Sequence, residues 1–111
     1  MDVVASIIEL KSNSLDRVEA WATTLKERTD EAMATLQDEG VSIESWFHFS
    51  LDGKDYLLCY MRAESIKKAS EVVRSSPHAI DAYHQQFKKD TWVGGKSARL
   101  LVDLVNDRKQ L

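Results

Sequence analysis

The stretch from Val41 to Ala63, VSIESWFHFS-LDG-KDYLLCYMRA, reads as two β-strands joined by a tight turn. Asp52-Gly53 supplies two positions that tolerate positive φ, which a two-residue hairpin loop requires. With that loop Leu51 faces Lys54, Phe49 faces Tyr56 and Phe47 faces Leu58, and any other loop length slips the register. Because strand side chains alternate, Val41, Ile43, Phe47 and Phe49 are expected on one side of the first strand. Ser42, Glu44, Trp46 and His48 fall on the other. On the second strand Tyr56, Leu58, Tyr60 and Arg62 share one side, and Leu57, Cys59 and Met61 the other. An antiparallel sheet with one wet face alternates apolar and polar residues, and that alternation is weak here. Both faces therefore need cover, and the chain has too few helices for two sides. The expected partner is a second copy, a homodimer through the open sheet face with an enclosed space between the sheets.

Outward from the hairpin, the apolar period switches between strand and helix values. Val3 to Leu10 is β-branched and mostly apolar on both sides, as a central strand is. Ser14 offers an N-cap, and Leu15, Val18, Ala22, Leu25, Thr29, Ala32 and Leu36 follow at helical spacing. This predicts one long helix closed by Gly40 in a left-handed cap. Glu64 to Arg74 is helical again, until Ser75-Ser76-Pro77 breaks it. Ser76 can cap a new helix with Pro77 in its first position, and Ile80, Tyr83, His84 and Phe87 form the inner face. Gly94-Gly95 is read as the end of that piece, Ala98 to Val105 as the last strand, and residues 106–111 as a fraying polar tail. The order β-α-β-β-α-β predicts an α+β ferredoxin-like sandwich. Its four-stranded antiparallel sheet carries its helices on one face, and residues 1–111 form a single domain.

Composition narrows the function. The 111 residues carry 15 basic and 18 acidic side chains, a net charge of −3, so no basic field gathers a phosphate backbone and nucleic acid is not expected as a partner. The lone Cys59 suits a reducing compartment and reads as a small buried hydrophobe. Without a cationic start, a cleavable apolar segment or a membrane-length apolar run, the expected location is the cytoplasm, with no membrane partner.

Size and architecture, the first helix ending in Asp38-Glu39-Gly40, the following Val41-Ser42-Ile43-Glu44-Ser45, and Ser75-Ser76-Pro77-His78 with Asp81 downstream resemble a bacterial family of unknown function. That family lies in the dimeric α/β-barrel superfamily, of ferredoxin-like fold. The resemblance implies a pocket between sheet and helices or inside a barrel of two sheets. Superfamily members include cofactor-free monooxygenases, haem-degrading enzymes, mutarotases, muconolactone isomerases and stress-responsive proteins. Fold does not fix chemistry, and no catalytic set of theirs maps onto this chain.

Candidate chemistry falls in three places. His48, on a strand face with Glu44 and Trp46, would act as acid or base if that face looks toward the partner; the bland alternative is a hydrogen-bonded edge imidazole. Tyr56, Tyr60 and Arg62 could hold an anionic or phenolic ligand through a fork of donors and ring stacking, unless Arg62 is merely a solvated strand end. After Pro77, His78 and Asp81 stand three apart, as do Asp81 and His84, so Asp81 could orient an imidazole. His84 itself reads better as part of the core stripe. Trp92 would close over a pocket or plug the core. Ligand spacings for zinc or iron are missing, so no metal and no cofactor are expected. The favoured function is a small-molecule pocket protein, a cofactor-free monooxygenase- or isomerase-like enzyme. The alternative is a non-catalytic stress-related or regulatory homodimer, and a haem protein is disfavoured for want of an axial histidine.

Overall fold

A computed structural model describes residues 1–106. The elements are β1 (Asp2–Leu10), α1 (Leu15–Glu27), α2 (Thr29–Glu39), β2 (Val41–Leu51), β3 (Lys54–Ala63), α3 (Ile66–Arg74), α4 (Ala79–Thr91) and β4 (Trp92–Ser97). The strands form one antiparallel sheet in the order β2-β3-β1-β4, the split β-α-β arrangement of a ferredoxin-like fold.

The hairpin takes the expected register, with Phe47 opposite Leu58, Phe49 opposite Tyr56 and Leu51 opposite Lys54. Asp52 (φ 51°) and Gly53 (φ 76°) both lie in the left-handed region, so a two-residue turn closes the strands without splaying them. Further back the alternation is interrupted. A bulge between Val41 and Ile43 inserts one residue into β2, which turns Val41 onto the helix side, where it is buried with Ala63 and Ala69. Val41 therefore does not share a face with Ile43, Phe47 and Phe49.

Three other boundaries differ from the sequence reading. The long helix is two, broken at Arg28 (φ −107°, ψ 39°), where the Thr29 hydroxyl donates 2.6 Å to the Lys26 carbonyl and competes with the backbone ladder. The Arg28 guanidinium meanwhile grips Glu31 at 2.6 and 2.8 Å. Helix α4 starts at Ala79 with His78 as its N-cap residue, and not at Pro77. Its first turn is satisfied from outside, because Glu31 Oε2 accepts the Ile80 N–H at 2.6 Å. Gly94-Gly95 lies within the last strand and does not precede it. Gly95 stands opposite Ile8, and a Cβ there would lie 3.3 Å from Ile8 Cγ1, so the small residue lets β4 approach β1. Residues 98–106 form no strand, although the Ala98 N–H still donates to the Ala5 carbonyl at 2.8 Å. The tail predicted to fray falls, from residue 107 on, outside the described residues.

The four helices of the described residues lie on one side of the sheet. There Ile8, Leu10, Leu57 and Cys59 meet Val18 and Trp21 of α1 and Phe87 of α4 in the main core. Among the described residues the other side carries no helix. Phe47 (54% exposed), Leu51 (56%) and Ile7 (40%) stand out on it.

Candidate functional site

A cleft of about 750 Å³ opens between the helix side of the sheet and α3 and α4. Val4, Ser6 and Ile8 of β1, with Cys59 and Met61 of β3, make its floor. Ile66, Ala69 and Val73 of α3 form an apolar wall, and Asp81, His84, Gln85 and Lys88 face it from α4. The spacing of those four follows the helix: three, four and seven residues apart place them along one stripe.

Aromatic rings close one end. Trp21 stacks on Phe87 with centroids 4.4 Å apart, and Trp46 meets Trp21 edge-on at 5.2 Å. His84 lies 5.6 Å from Trp46 and 6.5 Å from Trp92. The Trp21 indole N–H donates to His84 Nδ1 at 3.1 Å. An indole nitrogen only donates, so Nδ1 must be bare and the neutral ring carries its proton on Nε2. Burial, with the Lys88 charge adding to it, pushes the His84 pKa down to about 4. Lys88 Nζ sits 4.8 Å above the Trp92 ring, a cation–π contact. The Trp92 Nε1–H is buried and meets no acceptor among the described residues.

Carboxyl groups gather next to these rings, linked to them through Trp46. Burial pushes Glu39 up to about 7, helped by repulsion from Asp81, Glu44 and Asp38 and opposed by His78. Glu44 Oε2 accepts the Trp46 indole N–H at 3.0 Å, yet desolvation keeps its pKa above the ordinary carboxylate value. The Cys59 thiol is pushed up to about 12 by burial, far from the thiolate a nucleophile needs. Glu39 and Asp81 also border a smaller cavity of about 360 Å³ beneath the 75–78 loop.

The candidate residues are spread over three places. Trp46, Trp92 and Asp81 line the cleft, with Glu44 hydrogen-bonded to Trp46. His48 is on the same sheet face but at its exposed end, 3.0 Å from Asp55 Oδ1, whose carboxyl the Ser50 hydroxyl and this imidazole hold low. His78 borders only the smaller cavity and pairs with Asp38 at 2.8 Å, the main cause of its raised pKa. Asp81 orients neither histidine, because its carboxylate takes the Ser76 hydroxyl while His84 turns to Trp21. On the open face Tyr56 stacks on Phe49 at 5.2 Å. Arg62 is no solvated strand end: it is 9% exposed, bonds the Tyr60 hydroxyl and forks onto Asp103 at 2.5 and 3.1 Å. The sheet thus separates Tyr56, Tyr60 and Arg62 from the cleft. Glu39, His84 and Lys88 were not singled out from the sequence as site residues. The i, i+3, i+7 run of Asp81, His84 and Lys88 was the one available signal, whereas nothing local marks Glu39.

Among the described residues no group of three His, Cys, Asp or Glu side chains is placed to hold a metal ion, and no helix is long and apolar enough to cross a membrane. A family model described as a family of unknown function, DUF6176, matches residues 1–109. A crystal structure of a Bacillus cereus protein, proposed there to be an antibiotic biosynthesis monooxygenase, is similar at 17% identity with a TM-score of 0.45. That match covers 98% of this chain and 96% of the other. No curated protein matches the chain.

Proposed function

We propose a function from the cleft itself, since the chain belongs to DUF6176, a family of unknown function whose description supplies no chemistry. The protein is a single-domain small-molecule binder that takes its ligand between sheet and helices, and it works as a homodimer through the open sheet face. The observation that carries this reading is the cleft of about 750 Å³, with apolar side chains on its floor and α3 wall and with Asp81, His84, Gln85 and Lys88 facing it from α4. Glu39, with a pKa of about 7, exchanges a proton near neutrality, while His84 stays neutral as a hydrogen-bond donor. Such groups favour the isomerase-like reading, in which protons move without a cofactor, over the monooxygenase-like one. Asp81, Trp46 and Trp92 contact the ligand. Tyr56, Tyr60 and Arg62 serve the space facing the second copy, and His48 and His78 stand apart from the cleft.

A fragment screen read by the three indole N–H resonances tests the cleft. Hits should move the Trp46 and Trp92 signals, and Val73→Trp, which fills the apolar wall, should weaken them at least tenfold. Hits that ignore Val73→Trp would remove the cleft as the site. The dimer is tested separately by sedimentation at micromolar concentration. Wild type should run as a dimer. Phe47→Asp, which buries a charge at the centre of the proposed interface, should weaken association about thirtyfold or more. Single chains in the wild-type sample would overturn the interface.

A further inference from the structure

The sequence reads Ala98 to Val105 as a strand, yet within one chain these residues join no sheet beyond the single bond from Ala98 to the Ala5 carbonyl. Their composition is wrong for a solvated tail. Leu100 (55% exposed), Leu101 (76%), Val102 (69%), Leu104 (88%) and Val105 (44%) are all left in water. Five aliphatic side chains in the six positions from Leu100 to Val105 form a contiguous apolar run, not the scattered apolar groups of an ordinary surface.

The sixth residue fixes where the run lies. Asp103 takes the Arg62 guanidinium in a fork at 2.5 and 3.1 Å, and Arg62 belongs to the side of β3 that bears no helix. The segment is therefore pinned to the open face. In an extended chain Leu101 and Val105 share the side of Asp103, while Leu100, Val102 and Leu104 take the side turned away from Arg62. Both sides are apolar, as in a strand that is covered twice.

β2 has the complementary need. It is an edge strand of eleven residues, paired with β3 alone, and among the described residues its outer edge makes no main-chain bond. Alternate N–H and C=O groups along it stay open, the template onto which another strand adds. The segment cannot reach that edge in its own chain. From β4 the outer side of β2 is four strand spacings away, about 19 Å, whereas Arg99 follows the tethered Ala98 by one residue, about 3.5 Å. The outer edge of β4, six residues with two glycines, is the poorer template.

We propose that residues 99–105 are an arm exchanged between two copies of this chain, pinned to its own sheet through Asp103 and Arg62 and added as an extra strand to the outer edge of β2 in the other copy. Two-fold symmetry makes the same contact twice. Leu101 and Val105 then share the enclosed face with the exposed Phe47 and Leu51, and Leu100, Val102 and Leu104 turn toward the helix layer of the second copy. An arm merely sandwiched between the two open faces would bury its main-chain groups unpaired, which edge pairing avoids. The inference rests on the second copy packing on the open face.

Amide exchange of the full chain, read residue by residue on samples whose association state is measured by sedimentation, is the test. In dimeric wild type the amides of the arm that bond to β2 should exchange about a hundredfold or more slowly than those of an open chain, and β2 should be slow at successive positions instead of alternate ones. Leu101→Pro and Val102→Pro lie at adjacent positions, so one of them removes a donor from the shared ladder. That variant should speed exchange at the outward-pointing β2 amides about tenfold or more and leave β1 and β3 unchanged. Arm amides that exchange at open-chain rates in a dimer overturn the arm and leave the homodimer standing. Slow arm exchange that persists in single chains of Phe47→Asp overturns it too, since the arm would then pack on its own sheet. Two proline variants that both leave β2 unaffected overturn the edge pairing. Wild type that sediments as single chains overturns the arm together with the homodimer.

Discussion

Replacing Trp21 with alanine is expected to remove about 4 kcal/mol of stability, the upper part of the range for truncating a buried aromatic. Trp21 is 2% exposed and stands where α1, α4 and the sheet converge. It stacks on Phe87, meets the edge of Trp46 and donates to His84, so alanine opens a void under the aromatic end of the cleft and strips three neighbours of contacts at once. Trp21→Phe separates the two parts of that loss. The ring stack largely remains, while His84 Nδ1 loses its donor, which costs about 1–3 kcal/mol for an unsatisfied buried acceptor. Urea unfolding of the three proteins at neutral pH gives the comparison. A loss below about 1.5 kcal/mol for Trp21→Ala would mean that the rings do not form the joint described here.

How much of this was legible beforehand depends on where each signal is stored. The hairpin register is local: Asp52 and Gly53 tolerate the same half of conformational space, and the pairing of Phe47 with Leu58 follows from counting. The order of the first three strands and the helices between them was readable for a related reason, since the apolar period changes where strand gives way to helix. Val41 went astray because a bulge has no strong mark in composition, and one inserted residue reverses the face of everything before it. The break at Arg28 was hidden by an apolar stripe that continues in register across it, while the cause lies in a threonine hydroxyl and an arginine that could as well have been solvated. Gly94-Gly95 misled in the opposite direction. Paired glycines usually punctuate, but here the missing side chain is what admits β4 to Ile8. In the cleft, Glu39 closes α2 and His84 lies in the middle of α4, and each gains its altered proton affinity from burial against elements distant in sequence. Their residue types were visible, but the desolvation that makes them unusual exists only after folding.

That desolvation leads to opposed pH effects, and two variants should separate them. Glu39 titrates at about 7 in the folded protein against 4.5 for a free glutamate, so the native state holds more protons than the unfolded chain between those values. Its contribution is therefore most favourable below pH 4.5, declines as pH rises to about 7 and stays low above that. His84 titrates at about 4 against 6.5, so the native state holds fewer protons there, and its contribution is complete above pH 6.5 and lost as pH falls toward 4. For buried His84 the linked term is about 3 kcal/mol, whereas for half-exposed Glu39 solvent screening reduces it to about 1–2 kcal/mol. Asp81 on α4, Glu44 on β2 and Asp38 on α2 surround Glu39 with like charge, and only His78 opposes them. Glu39→Gln should accordingly stabilise the protein by about 1–2 kcal/mol at pH 8 and by almost nothing at pH 4. His84→Gln, which retains an acceptor for the Trp21 N–H but cannot take a proton, should improve relative to wild type by about 2–3 kcal/mol between pH 8 and pH 4.5. Unfolding curves at the three pH values decide the matter through differences from wild type, which cancel the titration of every other group. A stabilisation by Glu39→Gln that is as large at pH 4 as at pH 8 would show that this carboxyl is ionised throughout, with solvent or a cation already beside it.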